Sequence, residues 1–310
     1  MSDPIGPAEA ILRAACHDRV RTRFPLAPLT SFRIGGPAAL YLEPEGDADL
    51  AAVAEAVERT AIPVVVLGKG SNILIADGGF PGLVLRLGRG FRWAGRDGDR
   101  LTAGGAMPLP ALAGVALSHG LSGLEFAIAI PGSLGGAVRM NAGAHGGELA
   151  SILQTIDVFE LGRGARRRLA AADAGLSYRR SGLPGDAVVV GATMSLAPAS
   201  ATTIRARMDE VREWRRRTQP IAEPNCGSVF KNPPGDHAGR LVDGAGGKGL
   251  TVGGATVSAK HANFIVTVEG ATAADVVALI AKVQELVEAR RGILLEPEVQ
   301  LIGDIDLVRR

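Results

Sequence analysis

The sequence predicts an α+β protein of three compact units. Short strand-like apolar runs alternate with helical stripes along the whole chain, turn signals separate them, and two glycine-rich loops directly follow apolar runs. The 310 residues correspond to about two domains by length alone, and the pattern of elements divides them further into residues 1–90, 91–200 and 201–310. Hydrophobic residues make up 46% and charged residues 21%, a soluble globular composition with room for a sizeable core. The net charge of +2 gives no argument for nucleic acid.

Residues 1–20 read as a short helical arm. TSFRIGGPAALYL at 30–42 reads as strand, turn and strand around Gly35 and Gly36. Asp47 is placed as the cap of a helix running to Val57, with Leu50, Val53 and Val57 on one face. A strand at 63–67, a glycine loop, and strands at 73–76 and 83–87 complete the first unit. In the second, Pro108 and Pro110 sit where a helix start tolerates them, and Gly120 marks its stop. A hairpin over 152–169 turns at Gly162 and Gly164, and 187–196 is a further strand.

Beyond residue 200 an amphipathic helix over 204–217 carries Ile204, Met208, Val211 and Trp214, and Pro220 ends it. Residues 225–234 are expected as strand then turn, and 261–268 and 293–302 as strands, with a short helix to Val242 capped by Asp236. Thr272 caps the best helix, whose stripe is Val276, Leu279, Ile280, Val283, Leu286 and Val287 and whose stop is Gly292.

The most informative stretch is PGSLGGAVRMNAGAHGGE at 131–148, which follows the apolar run 126–130. Glycine lets a backbone approach a flat or anionic ligand, because it has no Cβ and reaches positive φ at little cost. GKGSN at 68–72 is a second such loop, directly after a strand. Either loop alone reads equally well as a tight turn. Together they suggest one large cofactor with a pyrophosphate, held mainly by main-chain N–H groups. Neither is a P-loop, since Gly70 replaces the Ser/Thr and Pro63 stands where the first glycine belongs. The 132–136 spacing is also wrong for a Rossmann turn. Cys16 and Cys226 form no CxxC and the five histidines form no HxxxH, so no metal is expected. No stretch has signal-peptide or membrane-span character, and a cytoplasmic protein is expected.

TSFRIGGPA at 30–38, LGKGSNIL at 67–74 and IPGSLGGAVRMNAGAHGGE at 130–148 resemble the UDP-N-acetylenolpyruvoylglucosamine reductases (UDP-N-acetylmuramate dehydrogenases). So do SYRRS at 177–181, GSVFKNP at 227–233, VSAKHANFIV at 257–266 and LEPEVQLIG at 295–303. The resemblance runs in order from about residue 20 to residue 303, and the ordered set is specific where no single motif is. It implies the vanillyl-alcohol-oxidase type of FAD-binding fold, two α+β subdomains followed by a C-terminal substrate domain. It also implies non-covalent FAD, NADPH as hydride donor, a monomer, and a place in peptidoglycan precursor synthesis and hence in cell-wall formation, cell shape and division.

By the same resemblance Arg179 is the arginine that steadies the enolate-like charge, Glu298 the carboxyl that shares it, and Ser228 the proton donor. On residue type alone, Ser228 is a turn serine, Arg179 a surface arginine and Glu298 a solvated acid at a strand end. Tyr178, Arg217, Lys231 and Asn232 match the substrate's diphosphate, while Arg212 and Arg215 read as solvated. Gly68, Lys69, Gly70, Ser71 and Asn72 are expected at the FAD pyrophosphate. Gly132, Ser133, Gly135, Gly136, Asn141 and Gly143 are expected on its other side or at the isoalloxazine, with Arg33 and Gly35 near the nucleotide.

The stretch from Arg179 to Ser228 is too short for the substrate-covering insertion with its tyrosine, which implies the family's shorter variant. Two rival readings are another flavin oxidase of the same cofactor fold and a non-catalytic nucleotide-sugar binder. The first would lack the Ser228, Arg179 and Glu298 set; the second is opposed by the presence of all three.

Overall fold

The computed structural model describes residues 3–306, which divide into two interleaved units. Met1–Arg23, Ala39–Lys69 and Gly82–Glu213 form the first; Phe24–Ala38, Gly70–Pro81 and Trp214–Arg310 form the second. The expected N-terminal arm is the helix Ile5–Cys16, and residues 1 and 2 of that arm lie outside the described residues.

The predicted hairpin forms, with Leu153–Glu160 against Ala165–Ala170 and Gly164 at a φ of 62° in the turn. It extends through Ala187–Ser195, Arg100–Gly104 and Ala94–Asp97 into an antiparallel sheet of five strands. Leu101, Ile156 and Met194 pack one core with Leu109 and Leu112 of the helix Leu109–Ser118. A four-stranded sheet runs Arg21–Pro25, Pro37–Leu42, Phe80–Leu85, Val64–Val66, the last pair parallel. Its core joins Leu40, Leu83 and Leu85 to Leu50 and Val53 of the helix Asp47–Thr60. Gly46 is that helix's N-cap, and the expected cap, Asp47, is its first residue.

In the second unit the helix Ala273–Arg291 has the predicted signals. Thr272 and Asp275 form a capping box, and Gly292 ends the helix at a φ of 66°. Val276, Leu279, Ile280, Val283 and Val287 are buried in a third core with Phe32, Leu74, Val229 and Phe230. The strands Ile73–Ile75 and Gln300–Ile302 pair in parallel, and Asp77 accepts the N–H groups of Ala273 and Ala274 at the long helix's start.

Several expected strands are shorter or absent. Residues 30–34 form no strand because Arg33 takes a left-handed φ of 59° and the Thr30 hydroxyl bonds Ala27 O and Ile34 O. Residues 225–234 contain only isolated bridges at Asn225 and Phe230, since much of their main-chain bonding goes to loop and side-chain partners. The strand expected over 261–268 is reduced to Ile265–Thr267, and that over 293–302 to Gln300–Ile302. The helix Ala238–Gly244 starts after His237, not Asp236, and Asn232 Oδ1 accepts from Ala238 N at 3.0 Å.

Candidate active site

In the first unit, Gly68 and Lys69 from one glycine loop and Ser133, Gly135 and Gly136 from the other line a single cavity of about 260 Å³. Ser133 caps the helix Leu134–Arg139, its Oγ accepting from Gly136 N at 3.4 Å. A Cβ on Gly68 would meet that Oγ at 2.7 Å, and one on Gly135 would stand 2.9 Å from Val189 O. Gly135 is therefore required for close packing against the backbone at the cavity, and Gly68 leaves the Ser133 hydroxyl in its capping position.

The N–H groups of Leu134 and Gly135 bond Met107 O and Gly105 O at 2.8 Å each, so they are already used. Charge comes instead from side chains: Lys69, Arg86, Arg89 and Arg92 line the same space, with Glu43 as its acid. Loss of water, together with the positive charges of Arg86 and Arg92, pushes the Lys69 ammonium below the ordinary lysine range. A glycine cradle bordered by several cations fits the pyrophosphate of a dinucleotide cofactor. The three arginines were missed from sequence, where RLGRGFR at 86–92 was the available signal.

Arg139, also at the cavity, donates to the carbonyls of Leu183, Pro184 and Ala187 and so braces the wall. Gly132, Asn141 and Gly143 lie outside this cavity's lining. Gly70, Ser71, Asn72, Arg33 and Gly35 fall in the second unit. There Gly70, at a φ of 63°, passes so close to the chain that a Cβ would stand 2.1 Å from Leu29 O. Gly35, at a φ of 132°, has no room for a Cβ beside Ile75.

Arg179 stands on a tight turn of the first unit. Ser177 N donates to Arg180 O at 3.0 Å and Arg180 N to Ser177 O at 3.1 Å. Tyr178 and Arg179 are the central residues, and Arg179 has a φ of 57°. The guanidinium lies 5.0 Å from the Tyr178 ring centroid, and Nη2 donates to Gly143 O at 3.0 Å. Tyr178 itself is 49% exposed.

Ser228, Glu298 and Lys231 lie on two facing extended segments of the second unit. Glu298 N donates to Val229 O at 2.7 Å, and Lys231 N to Glu296 O at 2.8 Å. The Asn263 amide holds Phe230 from both sides, accepting from its N–H at 2.9 Å and donating to its carbonyl at 2.8 Å. Asn263 O also takes Val229 N at 2.9 Å. On the other flank Asn72 Nδ2 donates to Glu298 O at 3.1 Å. Cys226, two residues before Ser228, is buried; burial first, and then the nearby Glu298 charge, push its thiol up and keep it un-ionised.

Lys231 Nζ meets Glu296 Oε1 at 2.6 Å, and Asn232 Oδ1 accepts from Ala238 N at 3.0 Å. Arg217 is exposed in the last turn of the helix Ala201–Thr218. Arg215, expected on the solvated face, is half-buried and donates to Gln219 at 3.1 Å. Among the described residues no cluster of His, Cys, Asp or Glu could hold a metal ion, and no helix is long and apolar enough to cross a membrane.

Comparison with known proteins brings these parts under one family. Residues 38–169 match the family model described as FAD binding domain, and residues 219–302 match the C-terminal domain of UDP-N-acetylenolpyruvoylglucosamine reductase. The chain is 44% identical over 304 residues to the UDP-N-acetylenolpyruvoylglucosamine reductase of Anaeromyxobacter sp., covering 96% of this chain and 95% of that one. It is 48% identical over 282 residues to the reductase of Heliobacterium modesticaldum, covering 90% of each. The crystal structure of the reductase from Thermus caldophilus superposes with a TM-score of 0.82 at 38% identity, covering 92% of this chain and 99% of that one. Its cofactor half therefore has the expected vanillyl-alcohol-oxidase type of FAD-binding fold. With both family models and near full-length relatives in agreement, the chain belongs to the UDP-N-acetylenolpyruvoylglucosamine reductases.

Proposed function

We propose that the chain reduces UDP-N-acetylglucosamine enolpyruvate to UDP-N-acetylmuramate, with Ser228 as proton donor and Arg179 and Glu298 as its partners in charge stabilisation. The observation that carries the reading is the fixed pairing of the Ser228 and Glu298 segments through Glu298 N and Val229 O. It keeps a hydroxyl donor and a carboxyl group on neighbouring strands of chain, within a family of reductases. When bound, FAD supplies the hydride, taken from NADPH, to the terminal carbon of the enolpyruvyl double bond.

Negative charge then develops on the carboxylate-bearing carbon and its carboxylate. Arg179 answers that charge with a planar fork that matches a carboxylate and stays protonated. Glu298, in its protonated form, donates to the same charge. Ser228 delivers the proton to the carbon next to the hydride acceptor, so that one hydride and one proton complete the saturated ether. Lys231 and Arg217 meet the substrate diphosphate, with Tyr178 and Asn232 beside it. Lys231 must exchange its Glu296 partner for phosphate oxygen, a step eased by the exposure of the Glu296 carboxylate.

For FAD, the reading keeps Gly68, Lys69, Ser133, Gly135 and Gly136 at the pyrophosphate and adds Arg86, Arg89 and Arg92. The division into residues 1–90, 91–200 and 201–310 is retained as a reading of two cofactor subdomains and a substrate domain; each of the three hydrophobic cores is built mainly from one of these stretches, although Phe32, Ile34 and Leu74 pack with the third. The chain is read as the shorter variant, because the strand Ala187–Ser195 and the helix Ala201–Thr218 take up most of the stretch between Arg179 and Ser228. We read it as a cytoplasmic monomer acting on small molecules.

The test is anaerobic. NADPH should bleach the yellow holoprotein, and the enolpyruvyl nucleotide sugar should restore the colour without oxygen. Colour that returns only on admitting air would favour an oxidase and sink this reading.

A further inference from the structure

We propose that Asn141 is a positioning residue for Arg179, an inference that rests on the reading of Arg179 given above. Asn141 is 1% exposed, and its amide is used on both sides within the first unit. Nδ2 donates to Ser177 O at 3.0 Å and to Glu148 Oε2 at 3.2 Å, and Oδ1 accepts from Ala150 N at 2.9 Å. Both donor hydrogens are spent, so the amide has none left to offer a cofactor.

Ser177 O is the carbonyl that also closes the Arg179 turn by accepting from Arg180 N. The Asn141 amide therefore grips the base of that turn. The far end of the arginine is tied to the same loop, since Arg179 Nη2 reaches Gly143 O, two residues beyond Asn141. The turn needs such a grip. Its second central residue has positive φ, where glycine is favoured and a branched-off side chain costs about 1–2 kcal/mol. A conformation of that kind persists only where its surroundings over-determine it. Asn141 is itself at a φ of 39°, a value asparagine tolerates better than most residues. Leu149 N to Ala142 O, at 3.1 Å, closes the loop behind it. The second glycine loop thus supplies one end to the cofactor cavity, through Ser133, Gly135 and Gly136, and the other to the catalytic arginine.

The test is a double-mutant cycle on the holoenzyme with Asn141→Ala and Arg179→Ala. Asn141→Ala should lower kcat by ~10–100-fold while FAD content and the rate of NADPH bleaching stay within about twofold of wild type. In the Arg179→Ala background the same substitution should change kcat by less than about twofold, because a residue that acts through another has nothing left to act on. Equal losses in both backgrounds, or loss of FAD, would overturn the proposal. An unchanged kcat in Arg179→Ala alone would overturn the underlying reading of Arg179 and the proposal with it. Should Asn141→Ala not fold, Asn141→Asp serves in the same cycle. Its carboxylate opposes Ser177 O and Glu148, and protonation restores a donor, so its kcat relative to wild type should recover as pH falls. A flat pH ratio would count against the grip on Ser177.

Discussion

Arg179 and Ser228 are fixed by different means. The Arg179 turn depends on side chains: the Asn141 amide at its base, a guanidinium bond to Gly143 O, and a residue held at positive φ. The Ser228 segment is held through its own main-chain groups. Those of Val229, Phe230 and Lys231 bond Asn263, its side-chain amide included, on one flank and the facing segment at Glu296 and Glu298 on the other. The contrast fits the two roles proposed for these residues. A guanidinium must meet a carboxylate with correct planar geometry, so local strain at its Cα is tolerated for aim. A hydroxyl proton donor has a short side chain, so its aim is set by where the backbone runs, and a rigid backbone is the economical solution.

The largest expected effect breaks the first half of this comparison. Arg179→Gly should lower kcat by ~10²–10³-fold, the usual scale for removing one electrostatic stabiliser. It should also unfold later than Arg179→Ala, by about 1 kcal/mol, since glycine relieves the left-handed strain and alanine does not. Equal denaturation midpoints for the two variants would mean the turn is not strained.

The second half is tested by Asn263→Ala, which leaves the Phe230 N–H and carbonyl without their partner. A loss of about 3 kcal/mol in urea unfolding is expected from two stranded buried groups. Asn263→Asp, which keeps the acceptor for Phe230 N–H, should lose less. A change under about 0.5 kcal/mol in Asn263→Ala would show that the segment is held by its other bonds alone.

The smallest effect concerns substrate capture. Arg217→Ala should raise KM roughly tenfold with kcat little changed, as removal of a uniform phosphate contact does. A fall in kcat at constant KM would move Arg217 out of the phosphate role.

What the sequence revealed follows the range of the interactions involved. The helix Ala273–Arg291 was legible because its cap, its apolar stripe and its Gly292 stop all lie within it. The two glycine loops were legible as a pair, and Gly68 with Ser133 does meet at one cavity. The strand expected at 225–234 was not foreseeable as an error, because the Asn263 side chain that replaces its partner strand is remote in sequence. The place of Asn72 in GKGSN suggests a cofactor contact, and nothing local to that motif shows that its amide donates to Glu298 O, 226 positions away. Arg86 and Arg92 were hidden for the opposite reason. Arginines beside a strand carry no signal of their own until the fold turns them toward a shared cavity.

The central claim is that Ser228 protonates the substrate and takes no part in reducing the cofactor. Ser228→Ala, mixed anaerobically with NADPH and then with the enolpyruvyl nucleotide sugar, tests it in one record of flavin absorbance. Bleaching by NADPH should proceed at the wild-type rate, and recovery of colour on adding the sugar should slow by ~10²-fold or more. Recovery at the wild-type rate would contradict the claim, whatever the state of the first phase.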